Sequence, residues 1–188
     1  MLLLKDILLW KLGNMKDIEK TMVGASEYVS IGRRAIDVPA KIDTGADSSA
    51  IWASKVRVGR DGVLRFALFG EGSEFYSGKI FKRTDFEVAV VRSAMGEEQV
   101  RYRTRLLVKI GGRKIRVLFS LADRSKNNFP ILIGKRTLAR RFIVDVTQNV
   151  VEYPRNPRTP GLAKEFAKNP YAFDQKYGMN KKSNEEKS

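Results

Sequence analysis

The chain has 188 residues, 43% of them hydrophobic, and carries 36 basic against 21 acidic residues for a net charge of +15. That is enough for one domain with a real core plus extensions, and it excludes a chain disordered throughout or a membrane protein. The complete absence of cysteine and histidine excludes disulfides, thiolate nucleophiles, histidine triads and Cys/His zinc sites, leaving Asp, Glu, Lys and Tyr for acid–base chemistry.

Residues 2–12 (LLLKDILLWKL) are apolar but interrupted by Lys5 and Asp6, so the run is too short to span a bilayer. No basic segment precedes it and no small-residue cleavage site follows. It reads as a short amphipathic helix within an N-terminal extension, residues 1–22, or as sequence upstream of a start at Met15 or Met22. The lack of a transmembrane or export segment points to the cytoplasm, as does the lack of cysteine.

From Glu27 to Tyr153 the pattern is β. EYVSI, AIDVPAKI, VLRFALF, FEVAVV, VRYRTRLLVKI, KIRVLFSLA and FIVDV are short runs rich in Val, Ile and Phe. Gly32, Asp61-Gly62, Gly70-Glu71-Gly72, Gly96 and Gly111-Gly112 punctuate them. Such a series predicts a closed barrel or a sandwich, with one helix near Arg136–Arg141. Trp52, Phe66, Phe81 and Phe119 read as core or interface. Residues 23–153 are the expected domain and hold 24 basic and 14 acidic residues, so the excess charge is not confined to a tail. Beyond Tyr153, PRNPRTPG reads as a linker, LAKEFAKNPYAF as one or two amphipathic turns, and GMNKKSNEEKS as a disordered tail. Residues 154–188 thus form a basic, partly disordered extension.

The segment that carries chemistry is Ala40–Ala50, AKIDTGADSSA. A strand delivers Asp43 into a tight turn of small residues. Asp43 supplies a carboxylate at a strand end, Thr44 a hydroxyl, Gly45 room for close backbone approach, and Ala46 a small site floor. Asp, Thr and Gly are also common turn residues, so the three letters alone equally describe a turn. Downstream, Pro130–Leu138 (PILIGKRTL) is an apolar strand, then Gly134, then a cation, Lys135, opening a helix.

Together the two segments resemble the retropepsins. In that family the apolar strand supports the active-site loop, and a basic residue after the glycine pairs with the aspartate that follows Asp-Thr-Gly-Ala. The resemblance therefore implies that Asp47 pairs with Lys135, without the bidentate fork that the arginine usual there would give. The similarity is closer to a retropepsin-like family known as "ATP-dependent zinc protease", which includes RimB-type proteases linked to glutamate ligases. The resembling stretches are Ala40–Ala50, Val91–Gly96, Glu98–Arg101, Asp123-Arg124 and Phe129–Leu138, within roughly 27–152. Despite that name, there is no His or Cys to bind zinc, a site built only from carboxylates would be unusual, and no phosphate-binding Gly-rich loop is present, so neither metal nor other cofactor is expected.

The resemblance implies an all-β, retropepsin-like closed barrel with one short helix, and an aspartic endopeptidase with Asp43, Thr44 and Gly45 catalytic. Ala46, Asp47, Gly134 and Lys135 would support the site. Only one Asp-Thr-Gly occurs; Asp123 and Asp145 lack the following Thr-Gly. The chemistry needs two carboxylates sharing a proton, so the second must come from a homodimer. Its expected interface strands are residues 23–31 and the FIVDV/NVVEY segments. A flap is expected at Gly70–Gly78 (GEGSEFYSG) or near Ser93–Gly96.

Arg101, Arg103 and Arg105 alternate and so share one strand face. The plain reading is a solvated face; the sharper one is a cationic groove for acidic peptide, with Arg101, Arg92 and Arg124 touching substrate. Arg124 has a structural alternative, ordering the loop before Pro130. RimB-type relatives act on glutamate-rich tails, which suits this charge, but RNA or a ribosome would suit it equally. The competing readings are a non-enzymatic nucleic-acid or ribosome-binding module on a retired protease barrel, and a membrane-surface protein held by residues 2–12.

Overall fold

A computed structural model describes residues 19–33, 35–92, 98–152 and 159–177. The helix expected before residue 19, linker residues 154–158 and the tail from residue 178 lie outside them. The chain forms two compact units, Met1–Glu152 and Tyr153–Ser188.

The first unit is built from β1 (Thr21–Ile31), β2 (Ala35–Asp43), β3 (Ser49–Val58), β4 (Leu64–Leu68), β5 (Ile80–Arg83), β6 (Glu87–Arg92), β7 (Glu98–Ile110), β8 (Arg113–Ala122), β9 (Ile131–Gly134), a one-turn helix α1 (Lys135–Leu138) and β10 (Phe142–Asn149). Six strands close a barrel. β1 pairs with β2, β2 with β9, β9 with β3, β3 with β8, β8 with β7, and β7 returns to β1. β10 and β6 extend the sheet at its two ends, and the β4–β5 hairpin hangs from β3. This is the retropepsin-like closed barrel expected from the sequence.

Alternation explains the closure. In β7, Thr104, Leu106, Val108 and Ile110 are buried while Arg105, Leu107 and Lys109 face water. β9 is a continuous apolar run because it lies inside the sheet, with Ile131 and Ile133 buried, while the end of β2 alternates, with Val38, Ala40 and Ile42 buried. Phe66 and Phe119 are fully buried and Phe81 nearly so, while Trp52 packs edge-on to Phe69.

Three elements depart from the sequence reading. β1 begins at Thr21, six residues before EYVSI, because β10 runs parallel to it from Thr21↔Phe142 to Gly24↔Asp145. A Cβ on Gly24 would lie 2.4 Å from the Gln148 carbonyl oxygen, so the crossing needs glycine at that point. The two strands expected to interleave across a dimer thus pair with each other within one chain. β3 is not apparent from pattern, since its buried Ile51 is flanked by small buried residues (Ser49, Ala50, Ala53) and a left-handed Lys55 (φ 54°) breaks its alternation. The helix ends at Leu138 rather than Arg141, because Ala139 turns extended and Arg140 adopts φ 65°.

The second unit holds α2 (Thr159–Lys168) and α3 (Pro170–Tyr177). Asn169 accepts the Ala172 N–H at 3.0 Å, capping α3 ahead of its Pro170. Phe166 meets Phe173 edge-on at 5.4 Å, and Lys176 reaches Glu165 at 2.7 Å.

Candidate active site

β2 carries Asp43 at its last position, opposite Gly134 at the end of β9. The buried Ile42–Ile133 pair just below fixes the strand ends, so the carboxylate emerges where the chain leaves the sheet. Asp43 Oδ1 accepts the N–H groups of Gly45 and Ala46, each at 3.1 Å. Lys41, two residues earlier on the same strand face, places Nζ 3.2 Å from Oδ2. Partial burial raises the proton affinity of Asp43, but Lys41 and the two N–H groups outweigh it and hold the carboxyl below its ordinary range. Thr44 and Gly45 are exposed.

The loop after Asp43 is held by β9 and α1. Lys135 N–H donates to the Ala46 carbonyl at 2.8 Å and Arg136 N–H to the Asp47 carbonyl at 3.3 Å. Buried Ser49 accepts the Gly134 N–H at 3.1 Å and shares a hydroxyl hydrogen bond with Thr137 at 2.8 Å. The Lys135–Asp47 ion pair implied by the resemblance forms, and the Lys135 ammonium keeps Asp47 below the usual carboxylate range. Both side chains are well exposed, so the backbone bonds rather than this pair fix the loop. Ser49→Ala is expected to destabilise the barrel by about 2 kcal/mol, read by denaturant unfolding, because it strands the Gly134 N–H and Thr137 hydroxyl in a buried place.

Beside this loop lies a cavity of about 560 Å³ lined by Asp47, Arg101, Arg103, Arg124, Arg136 and the apolar Leu132, among others. Arg101 bonds Gln99 at 2.8 Å. Arg124 is partly buried, with Nε donating to the Phe129 carbonyl at 3.1 Å. Burial and nearby Arg101 lower its pKa while Asp43 opposes that, so the two arginines and the aspartate share one field. Arg124 therefore orders the loop before Pro130 and also faces the site. Arg103 pairs with Glu87 at 3.3 Å, yet its Nε and the facing Ser120 hydroxyl are buried without a partner among the described residues. The Arg92 side chain lies outside the described residues.

Asp145 and Asp123 serve local turns. Asp145 accepts from Thr147 N–H, Thr147 hydroxyl and Gln148; Asp123 accepts from Ser125 N–H. Of the two flap candidates, Gly70–Gly78 packs on the barrel. Phe75 lies 5.7 Å from Phe69, and Gly70 sits where a Cβ would come 2.9 Å from the Trp52 ring. Ser93–Gly96 lies outside the described residues, but the strands on either side of it, β6 and β7, line the cavity. Lys41 was missed from sequence, although its i, i+2 spacing to Asp43 on a strand is the signal. Zinc does not fit the residues present. The chain has no Cys or His, and among the described residues no three acidic side chains gather as a metal site. No helix among them is long and apolar enough to cross a membrane.

Residues 22–155 match the family described as "Retropepsin-like aspartic endopeptidase RimB". The chain is 25% identical over 136 residues to a Shewanella pealeana protein named "Probable alpha-L-glutamate ligase", and 24% identical over 138 residues to one of that name from Desulfotalea psychrophila. Each match covers 69% of this chain but only 29% of the relative. A crystal structure of a Legionella pneumophila protein of unknown function superposes with a TM-score of 0.51 at 20% identity, covering 69% of this chain and 95% of that one. That likeness bears on the fold. The barrel, the strand-end aspartate and the family match over most of the chain agree, and the chain belongs to the RimB-like family of retropepsin-like aspartic endopeptidases.

Proposed function

We propose that the chain is a homodimeric aspartic peptidase that hydrolyses acidic, glutamate-rich protein tails. The observation that carries this reading is the single carboxylate of Asp43, oriented by two backbone N–H groups at an exposed strand end. One such group is half of an aspartic-peptidase pair, and a two-fold dimer supplies the other.

In the dimer one Asp43 is ionised and the partner's Asp43 protonated, since two like charges so close do not both ionise. The ionised carboxylate takes a proton from water as the water oxygen bonds to the peptide carbonyl carbon. The protonated one gives its proton to the carbonyl oxygen. The resulting diol collapses: the C–N bond breaks, the amine leaves with a proton from the carboxyl that gained one, and a diol hydroxyl gives its proton to the other carboxylate, so the pair again holds one proton. Thr44 is placed to steady the two turns across the dimer axis.

The cavity supports an acidic substrate because Arg101, Arg103, Arg124 and Arg136 all line it. The relatives' name points to glutamate chemistry as well. Glutamate-rich and neutral peptides incubated from pH 4 to 8 and read by mass spectrometry test this. Cleavage that needs Asp43 and survives a chelator is expected.

A nucleic-acid-binding role has separate support in the outer face of β7 and β8. Arg105 and Arg116 are exposed there, and Lys109 stands directly opposite Lys114, a like-charge pairing that costs stability unless a polyanion answers it. Arg105→Glu with Arg116→Glu is expected to weaken duplex RNA binding roughly tenfold and to flatten its salt dependence, measured by fluorescence anisotropy.

A further inference from the structure

We infer that Lys41 reads a carboxylate on the substrate beside the scissile bond and, in doing so, releases Asp43 for catalysis. The inference rests on the peptidase reading and adds to it a specificity residue and the reason acidic substrates would be turned over faster.

Asp43 has two oxygens with different neighbours. Oδ1 is occupied by the Gly45 and Ala46 N–H groups. Oδ2 is the oxygen left for a lytic water or a shared proton, and Lys41 Nζ stands 3.2 Å from it. The catalytic oxygen is thus covered by a cation. That arrangement favours an ionised Asp43 in each subunit, whereas the pair works with one proton between two carboxylates.

The other charges near Asp43 are engaged elsewhere. Arg124 faces it from the loop between β8 and β9 but is partly buried and fixed to the Phe129 carbonyl. Arg101, beyond Arg124, is bonded to Gln99. Lys135, from α1, is paired with Asp47 on the neighbouring loop. Lys135, like Lys41, is held only by an exposed ion pair, but its partner is Asp47, whereas Lys41 is paired with the catalytic oxygen itself. The Lys41 side chain is 42% exposed and its contact is a single ion pair on a flexible stem, which is held weakly and exchanges partners at small cost.

A substrate with a carboxylate next to the scissile carbonyl offers Lys41 an equivalent partner. When Lys41 turns to it, Oδ2 is uncovered and Asp43 loses its cation. Its proton affinity rises, and the dimer's carboxylate pair gains the single proton it needs. An uncharged side chain at the same place leaves Lys41 on Asp43. Specificity for acidic residues then appears in kcat as well as in KM.

The test uses the full chain and two peptides identical except for Glu or Gln as the residue donating the scissile carbonyl. For the native protein, kcat with the Glu peptide is expected to be roughly tenfold higher or more, the worth of one charge-assisted hydrogen bond. Its alkaline limb is expected at higher pH than that of the Gln peptide. With Lys41→Met the two kcat values and the two limbs converge, both limbs lying at the higher pH. A Lys41→Met protein that keeps the Glu preference in kcat overturns the proposal. So does one whose alkaline limb with the Gln peptide stays where it was in the native protein. A second readout is independent of turnover: carbon-13 NMR titration of the Asp43 carboxyl. Its midpoint should rise in Lys41→Met, and rise in the native protein with a glutamyl peptide but not a glutaminyl one. An unmoved midpoint sinks the Lys41 role even where cleavage depends on Asp43. Cleavage indifferent to Asp43 sinks the peptidase reading instead.

Discussion

Gly134→Ala is expected to destabilise the barrel by about 3 kcal/mol or more and to abolish peptidase activity. The added Cβ would fall 2.6 Å from both the carbonyl carbon and oxygen of Ser48 and 2.8 Å from the Ala46 oxygen. All three are backbone atoms of the loop that begins at Asp43, so no side chain can move aside to relieve the contact. The same position places its N–H on buried Ser49 and faces Asp43 across β2 and β9. Relief therefore has to come from separating β9 from the active-site loop, and this couples stability to catalysis at one residue. Thermal unfolding measures the first effect and peptide cleavage the second. A variant with native melting and native turnover would show that the loop is not held as described.

Asp43→Asn is expected to leave the fold intact and to lower peptide hydrolysis by roughly a thousandfold or more, because both proton-transfer roles of the pair depend on the carboxylates. The side chain is 24% exposed, and an amide of the same shape still accepts from the Gly45 and Ala46 N–H groups through its oxygen. It can neither take a proton from water nor carry the shared one. The Lys41 contact is lost, but Lys41 is well exposed and Asp43 only partly buried, so little stability goes with it. Circular dichroism and sedimentation should match the native protein while cleavage disappears. A chelator is expected to change neither protein. Retained cleavage in this variant would remove Asp43 from the chemistry.

The parts of the fold and site that were legible in sequence are those with a strong local signal. The β2 run ending in Asp43 reads as a strand from its alternation, and the PILIG run of β9 from its continuous apolar residues. The pairing of Asp47 with Lys135 followed from the family resemblance. Less legible was β3, whose small buried residues and left-handed Lys55 hide its period. The early start of β1 depends on a partner more than a hundred residues away, β10, which no local pattern announces. Within Gly70–Gly78, one of the two expected flap segments, Phe75 lies against Phe69 and Tyr76 under Lys55, contacts that its glycine pattern does not announce. Lys41 lies within the Ala40–Ala50 motif, but the motif by itself gives it no role. Its importance comes from a 3.2 Å contact that alternation permits but does not require.

The most direct test of the central claim, one Asp43 from each of two subunits in a shared site, is a subunit-mixing titration. Native protein and Asp43→Asn are exchanged at fixed total concentration and assayed on a glutamate-rich peptide. If each site needs both carboxylates, activity follows the square of the native fraction, and an equal mixture gives about a quarter of the all-native rate. A linear fall, to about half, would mean that each chain works alone and would contradict the shared site.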